Sequence, residues 1–190
     1  VLSGTTAYLY DGATVTAVSM PDAREVQDID VLNNYIILAC PDGRFYWIVP
    51  GASTVDPLDF ATAESSPDGL VAARVIGDEL FLLGETNSEV WQTTGDSDAP
   101  FLRASGRNFP RGCMARDTAL LFDNSLFWVG NDGNLYRYSN IPTIISDSGL
   151  AQRIRERDGG LSALTVEWDG GGDVFLGGPA AFVFDGDWPQ

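Results

Sequence analysis

The sequence predicts an all-β fold, a β-propeller or part of one, with four-stranded blades of about 45 residues. Three observations predict it. Turn-forming pairs of Asp, Asn and Gly recur along the chain, short apolar runs lie between them, and these runs repeat at a nearly constant interval. A β-sandwich with Greek-key connections is the lesser alternative.

The turn signals divide the chain into short segments. Between them lie runs of four to eight residues rich in Val, Ile, Leu, Phe, Tyr and Trp, which indicate antiparallel strands joined by hairpins. The turn pairs are Asp11-Gly12, Asn33-Asn34, Asp42-Gly43, Asp68-Gly69, Gly77-Asp78, Asp123-Asn124, Asp132-Gly133, Asp169-Gly170 and Asp185-Gly186.

One apolar strand recurs after a polar turn and ends at a small residue. Its copies begin at Asn33, Asp78 and Asn124, 45 and then 46 residues apart, and a degenerate fourth copy covers 173–177. Inner strands of a propeller blade are covered on both faces, so they are expected to be apolar without alternation. The three complete copies meet that expectation.

A second recurring strand, rich in aromatic residues, follows each apolar strand after a hairpin. We therefore expect three full repeats with partial repeats at either end, in one domain over residues 1–190. That domain would close as a small ring or form an arc of a larger one. Because residue 1 is Val and both ends fall within blades, a fragment of a longer protein is expected. The aromatic copies cover 7–10, 44–47, 89–91, 135–138 and 181–184.

A short helix is predicted near residues 148–157, between the last two blades. Leu150 and Ile154 lie four residues apart and so share one helical face. Asp147 or Ser148 is the candidate N-cap.

The composition excludes much catalytic chemistry. The 190 residues include 44% hydrophobic residues, enough for a core, but all 11 basic residues are Arg, since the chain has no Lys and no His. Ser-His-Asp triads, P-loop lysines, Schiff bases and His-containing zinc sites are therefore ruled out. We predict no enzyme, no catalytic residue, no cofactor and no metal. The net charge of −16 opposes non-specific binding of nucleic acid.

Other features favour structural roles. Cys40 and Cys113 are too few and too far apart for a disulfide framework, so both are predicted to be buried thiols. No apolar run approaches the roughly 20 residues of a membrane-spanning helix, and no signal peptide is visible. Clustered carboxylates are interpreted as hairpin tips that cap their own turns, with a calcium site as the alternative. They are Asp28 and Asp30, Asp56 and Asp59, Asp96 and Asp98, and Asp185 and Asp187.

The arginines concentrate in two segments. Four lie within 14 residues and three on the predicted helix, which makes a local basic patch in an acidic chain. They are predicted to pair with the surplus Asp and Glu or, on the sharper hypothesis, to bind an acidic neighbouring subunit or touch DNA phosphates in passing. These candidate partner-binding residues are Arg103, Arg107, Arg111, Arg116, Arg153, Arg155 and Arg157.

Several short motifs occur in a characteristic order. They are Gly-Glu-Thr-Asn-Ser-Glu-Val-Trp at 84–91, Pro-Phe at 100–101, Arg-Gly-Cys at 111–113 and Phe-Trp at 127–128. Over about 84–157 the chain resembles the packaged-DNA stabilisation proteins of short-tailed bacteriophages, the tail hub or head-tail connector proteins.

That resemblance implies a virion structural protein, made in the host cytoplasm, that forms part of the tail below the portal. It implies a ring of copies around the DNA exit channel that helps to retain the packaged genome. The implied partners are further copies, portal or adaptor proteins and other tail proteins, with passing contact to DNA at most and no membrane. No catalytic residue is implied.

The charge suggests a physical role for such a ring. An acidic wall repels the phosphates and keeps the duplex centred, whereas attraction would retard its exit. We take this as a hypothesis based on the net charge.

Two other functions remain open. A carbohydrate-binding or glycoside-hydrolysing propeller would place Trp47, Trp91 or Trp128 with carboxylates in a funnel, although these indoles are more simply interpreted as blade core. The turns at 41–47 and 131–136 resemble the structural Asp-box turns of sialidase-type propellers. A scaffold propeller that binds peptide partners is the third possibility.

Overall fold

The computed structural model of the chain describes residues 1–63, 68–156, 165–168 and 174–177. Strands dominate it, and they follow each other in antiparallel order. An N-terminal sheet of three strands comprises β1 (Leu2–Ser3), β2 (Thr6–Tyr10) and β3 (Val15–Ala17).

Three four-stranded sheets follow, and we name them blades I, II and III. Each is a simple meander in which every strand pairs with the strands next to it in sequence. Blade I comprises β4 (Asp28–Leu32), β5 (Tyr35–Ala39), β6 (Arg44–Ile48) and β7 (Phe60–Thr62). Blade II comprises β8 (Leu70–Ile76), β9 (Glu79–Gly84), β10 (Ser88–Thr93) and β11 (Phe101–Phe109). Blade III comprises β12 (Leu120–Phe122), β13 (Ser125–Val129), β14 (Leu135–Tyr138) and β15 (Pro142–Ile144).

The remaining described elements are short. The helix α1 (Ser148–Glu156) follows blade III, and the hairpin of β16 (Thr165–Trp168) and β17 (Val174–Gly177) comes after it. Two 3-10 turns, Pro21–Ala23 and Arg116–Thr118, precede blades I and III. At nine residues α1 cannot span a bilayer, and the described part of the chain has no longer apolar helix.

The repeat seen in the sequence is the blade. Its apolar strand is the second strand of each blade, and its aromatic strand is the third. The second strands begin at Tyr35, Glu79 and Ser125, which are 44 and 46 residues apart. The first interval is thus one residue shorter than the 45 residues obtained when the copies are aligned from Asn33. Residues 181–184, the last expected aromatic copy, lie outside the described residues.

Turn chemistry explains where the first two strands of a blade meet. Asn33 and Asn34 have φ of 48° and 67°, and Asp123 and Asn124 have φ of 45° and 52°. Two successive residues in the left-handed region make the mirror-image turn that suits a two-residue hairpin, and Asn and Asp tolerate it best after Gly.

The turns between second and third strands are built around an aspartate in blades I and III. Asp42 accepts a hydrogen bond from the Arg44 amide at 3.3 Å, and Asp132 accepts one from the Asn134 amide at 3.0 Å. Gly43 and Gly133 follow with φ of 85° and 78°. The two segments that resemble Asp-box turns therefore share one conformation, and their role here is structural.

The core lies between the sheets. Blades I and II enclose Ile37, Trp47, Leu80, Trp91 and Phe101, with the Trp47 and Phe101 rings edge-to-face at 5.2 Å. Each layer requires the neighbouring blade, because a single sheet cannot bury both of its faces. A second layer between blades II and III contains Phe81, Leu83, Leu126, Trp128 and Tyr136. A third, between the N-terminal sheet and blade I, contains Ala7, Val18, Leu38, Cys40 and Ile48.

The antiparallel order gives the molecule two opposite faces. We define the turn face by the loops that join first to second and third to fourth strands, namely 11–14, 33–34, 49–59, 77–78, 94–100, 123–124 and 139–141. We define the linker face by the opposite loops, including the segments between blades and α1, namely 18–27, 40–43, 63–69, 85–87, 110–119, 130–134 and 145–156, of which 64–67 lie outside the described residues.

Candidate functional site

The two faces differ in charge. Every charged residue in the turn-face loops is an aspartate, and six of the seven are exposed. The linker face is mixed, since its described loops carry nine carboxylates and five arginines. The turn-face residues are Asp11, Asp56, Asp59, Asp78, Asp96, Asp98 and Asp123. The linker-face arginines are Arg24, Arg111, Arg116, Arg153 and Arg155.

Four of the seven candidate arginines lie on the linker face. Arg111, Arg153 and Arg155 are exposed, and Arg116 is half-buried. Arg155 donates to the Asp132 carbonyl at 3.1 Å, which holds α1 against a turn of blade III. Arg153 contacts no charged partner among the residues that the structure describes. Arg157 lies outside the described residues.

Two candidate arginines lie instead on β11, the outermost strand of blade II, and both contact carboxylates of their own blade. Arg107 binds both oxygens of Glu79, with Nη2 to Oε2 at 2.9 Å, and donates to the Tyr138 hydroxyl of blade III. Arg103 lies 3.5 Å from the carboxylate of Glu89. Their guanidinium groups are therefore partly neutralised within the chain.

Hydrogen bonding to Arg107 lowers the pKa of Glu79, and this lowering outweighs the rise that burial causes. This pair borders a cleft of about 440 Å³ between blades II and III on the turn face. Arg116, which pairs with Asp117 at 2.8 Å, borders a cleft of about 550 Å³ on the linker face. The arginines thus flank two separate openings and do not form one continuous patch.

The tryptophans named for the carbohydrate alternative are core residues. Trp47, Trp91 and Trp128 are 5%, 8% and 2% exposed. The Trp91 indole donates to Glu89 at 3.0 Å, and the Trp128 indole donates to the Gly112 carbonyl at 3.1 Å. None of the three presents a ring face on which a sugar could stack.

The cysteines are buried and free, as the sequence predicted. Burial raises the pKa of Cys40 to about 12 and that of Cys113 to about 11. Both thiols therefore stay protonated and unreactive near neutral pH.

The carboxylate pairs divide into two kinds. Asp56 accepts from the Leu58 amide and Asp96 from the Asp98 amide, both at 2.9 Å, so these two cap their own loops as predicted. Asp28 and Asp30 do not, and the expectation of solvated hairpin tips is wrong for them.

Asp28 and Asp30 lie on β4, where Asp28 is 6% exposed. Their carboxylates bind backbone amides of blade II, and burial raises the pKa of Asp28 despite the nearby Arg74. The pair Asp185 and Asp187 lies outside the described residues. Among those described, no group of three or more His, Cys, Asp or Glu side chains is arranged to hold a metal ion.

Sequence reasoning missed two charged residues that have partners inside the fold. Arg74 lies within the otherwise apolar strand β8, and Glu89 is buried beside Trp91. The signal for Arg74 was present, because a charged residue inside an apolar strand requires buried partners.

The chain is similar to the β-propeller domain of Myceliophteria thermophila Cps50 (Swd1), with 9% identity, coverage of 70% of this chain and 50% of that one, and a TM-score of 0.47. It is also similar to Kluyveromyces lactis Hsv2, with 13% identity, coverage of 80% and 49%, and a TM-score of 0.42. The chain spans about half the length of these two structures. No curated protein matches it.

The family comparison is decisive. The model of a phage stabilisation family, described as "Bacteriophage P22 Gp10, beta-propeller", matches residues 1–154. The match begins well before the segment at 84–157 that carries the resemblance, and it covers the N-terminal sheet and all three blades. The fold is a β-propeller, and the chain belongs to this family of phage structural proteins.

Proposed function

We propose that the chain is a structural component of a phage tail hub or head-tail connector. In this proposal it assembles with further copies into a ring around the DNA channel of the virion and helps to retain the packaged genome. Its partners would be portal or adaptor proteins and other tail proteins. It would act as a wall and not as an enzyme. Membership of the phage stabilisation family is the observation that carries the proposal.

The charge of the turn face supports a wall that surrounds DNA without gripping it. Double-stranded DNA carries one negative charge per roughly 1.7 Å of its axis. A surface whose loop charges are all aspartates repels such a polymer within a Debye length, about 8 Å at physiological salt.

The linker face is the better candidate for protein partners. Its arginines have carboxylates among their neighbours, and exposed guanidinium groups recognise acidic surfaces with defined geometry. Arg111 and Arg153 are both exposed; Arg153 has no charged partner among the described residues, and Arg111 has Asp132 as its charged neighbour.

Genome retention is tested in the phage that encodes this chain. We expect particles assembled without the protein to package DNA and then lose it, and the wild-type chain supplied in trans to restore retention. DNase-protected genome per head measures this. Heads that keep their DNA equally well without the protein would contradict the proposal.

The partner surface is tested in the same particles. We expect Arg111→Glu with Arg153→Glu to reduce incorporation at least tenfold, measured by quantitative blotting of purified virions. Arg44→Glu is the matched control, because Arg44 lies on β6 outside the candidate set. Equal incorporation of both variants would show that Arg111 and Arg153 do not contribute to the interface.

The wall hypothesis is tested with isolated protein and duplex DNA. We expect no binding by fluorescence anisotropy at 50 mM salt, and salt-sensitive binding once Asp56, Asp96 and Asp98 are all changed to Arg. Nanomolar binding by the unaltered protein would overturn the hypothesis.

A further inference from the structure

The first strand of each blade has a free edge, because the other strands of the sheet lie on its opposite side. In β8 the amides of Ala73 and Val75 point away from β9 and would lack partners. Asp28 and Asp30 of blade I supply them. The Ala73 amide donates to Asp28 Oδ2 at 2.9 Å, and the Val75 amide donates to Asp30 Oδ2 at 2.7 Å.

Arg74 continues the connection into blade III. Its Nε donates to the Ala119 carbonyl at 2.8 Å and its Nη2 to the Arg116 carbonyl at 3.3 Å. Its Nη1 donates to Asp28 of blade I and, at 2.6 Å, to the Ala73 carbonyl of its own strand. One guanidinium group therefore contacts blade I, blade II and the segment that leads into blade III.

Asp30 and Arg74 hold equivalent places in the repeat. Each lies two residues before the last residue of its first strand, Leu32 in β4 and Ile76 in β8. Each side chain reaches forward to the next blade, where the aspartate accepts from an amide and the arginine donates to a carbonyl. Leu120 holds this place in β12.

A second arginine crosses the same region. Arg116, at the entrance to blade III, donates from Nη1 to the Gln27 carbonyl just before blade I, at 3.2 Å. The segments that lead into blades I and III are thus linked directly as well as through Arg74. The Arg74 side chain is only 18% exposed, so its contacts are shielded from water and screened little by salt.

We propose that Arg74 is an axial clamp, a positioning residue that sets the spacing of the first strands of three blades and blocks the space between them. The planar fork is essential to this role, because it spreads N–H donors over three nitrogens in one plane, whereas a lysine carries its three N–H donors on a single nitrogen. The proposal concerns the fold of the chain and does not depend on the proposed function.

Distance measurement between blades I and III tests the clamp. Spin labels are attached at Leu58→Cys and Ile141→Cys, both in exposed turn-face loops. Cys40 and Cys113 are buried and do not compete for the label. We expect a narrow distance distribution by pulsed electron resonance in the labelled parent, and one at least twice as wide after Arg74→Lys.

Arg137→Lys is the matched control, because among the described residues Arg137 donates only to Ser125 of its own blade, at 3.2 and 3.1 Å. Its distribution should equal that of the parent. A folded Arg74→Lys protein with an unchanged distribution would overturn the proposal.

If Arg74→Lys does not fold, Asp28→Asn decides the question. This change keeps an acceptor for the Ala73 amide but removes the charge that anchors Arg74 to blade I. A wider distribution supports the clamp, and an unchanged one overturns it.

Discussion

Gly112 shows how closely the segment that leads into blade III approaches blade II. A Cβ atom there would lie 2.0 Å from the Glu85 carbonyl oxygen and 2.5 Å from the Thr86 nitrogen. Both are backbone atoms, so no side chain can move aside. The Gly112 carbonyl also accepts a hydrogen bond from the Trp128 indole, and the Gly112 amide donates one to the Asn131 side chain. The glycine of the Arg-Gly-Cys motif is therefore required for steric reasons.

We expect Gly112→Ala to destabilise the protein by about 3 kcal/mol or more, because the clash requires the two blades to separate. Urea unfolding followed by tryptophan fluorescence measures it. Gly149→Ala is the control, since its nearest atom lies at 3.4 Å and alanine favours the helix by roughly 0.5–1 kcal/mol. A loss below about 1 kcal/mol for Gly112→Ala would contradict the packing described.

The pair of Glu79 and Arg107 predicts a pH dependence. The pKa of Glu79 is lowered in the folded state, so its contribution to stability is present above the ordinary value of 4.5 and is lost as the pH falls through the lowered pKa. We expect Glu79→Gln to cost about 1–3 kcal/mol at pH 7 and progressively less below pH 4.5.

Unfolding free energies at several pH values would measure this difference. Asp78→Asn, a change at the adjacent exposed residue, is the control and should follow the parent at every pH. A deficit for Glu79→Gln that stays constant down to pH 3 would show that the ion pair is not its cause.

At the scale of the element, a hydrogen bond in the first turn of α1 fixes where this helix begins. The Leu150 amide donates to Asp147 Oδ1 at 2.7 Å, so Asp147 is the N-cap among the two candidates in the sequence. Ala151 and Ile154 form the buried face, and Arg155 packs against the turn at Gly133. The sequence had paired Leu150 with Ile154, but Leu150 is only half-buried.

We expect Asp147→Ala to destabilise the helix by about 1 kcal/mol and to speed hydrogen exchange of the α1 amides, while the amides of blade I are unaffected. Asp22→Ala is the control, because Asp22 also lies on the linker face but belongs to the short 3-10 turn before blade I and not to α1. Uniformly faster exchange in all blades would mean that α1 is an integral part of the propeller core and not a peripheral addition.

The limits of sequence reasoning are clearest at the elements. The repeat and the helix were predictable because each depends on local patterns. The one-residue error in the first interval arose because Asn33 and Asn34 serve equally well as a turn start. Such a slip exchanges the two faces of a strand. Contacts between blades, such as those of Arg74, join residues about 45 positions apart and leave no local pattern.

At the scale of the whole molecule, charge is the dominant property. With a net charge of −16 and a turn face whose loop charges are all negative, the folded chain repels itself. We expect its melting temperature to rise between 10 and 150 mM sodium chloride, because salt screens this repulsion. Differential scanning calorimetry measures the shift.

Neutralising part of the turn face should reduce that salt dependence. The triple change Asp78→Asn, Asp98→Asn and Asp123→Asn removes three exposed charges that accept no side-chain hydrogen bond among the described residues. If the melting temperature of the variant responds to salt as strongly as that of the parent, the repulsion does not arise from these three aspartates.

The position of Arg74 also bears on where a DNA duplex could pass in the proposed ring. Among the described residues, its guanidinium group and that of Arg116 occupy the region where blade I, blade II and the segment leading into blade III meet, so no duplex passes through that region. In the proposed ring, a bore wide enough for a duplex would then lie between neighbouring molecules. Its diameter would then follow from how many subunits join, and the blade count would have no influence on it.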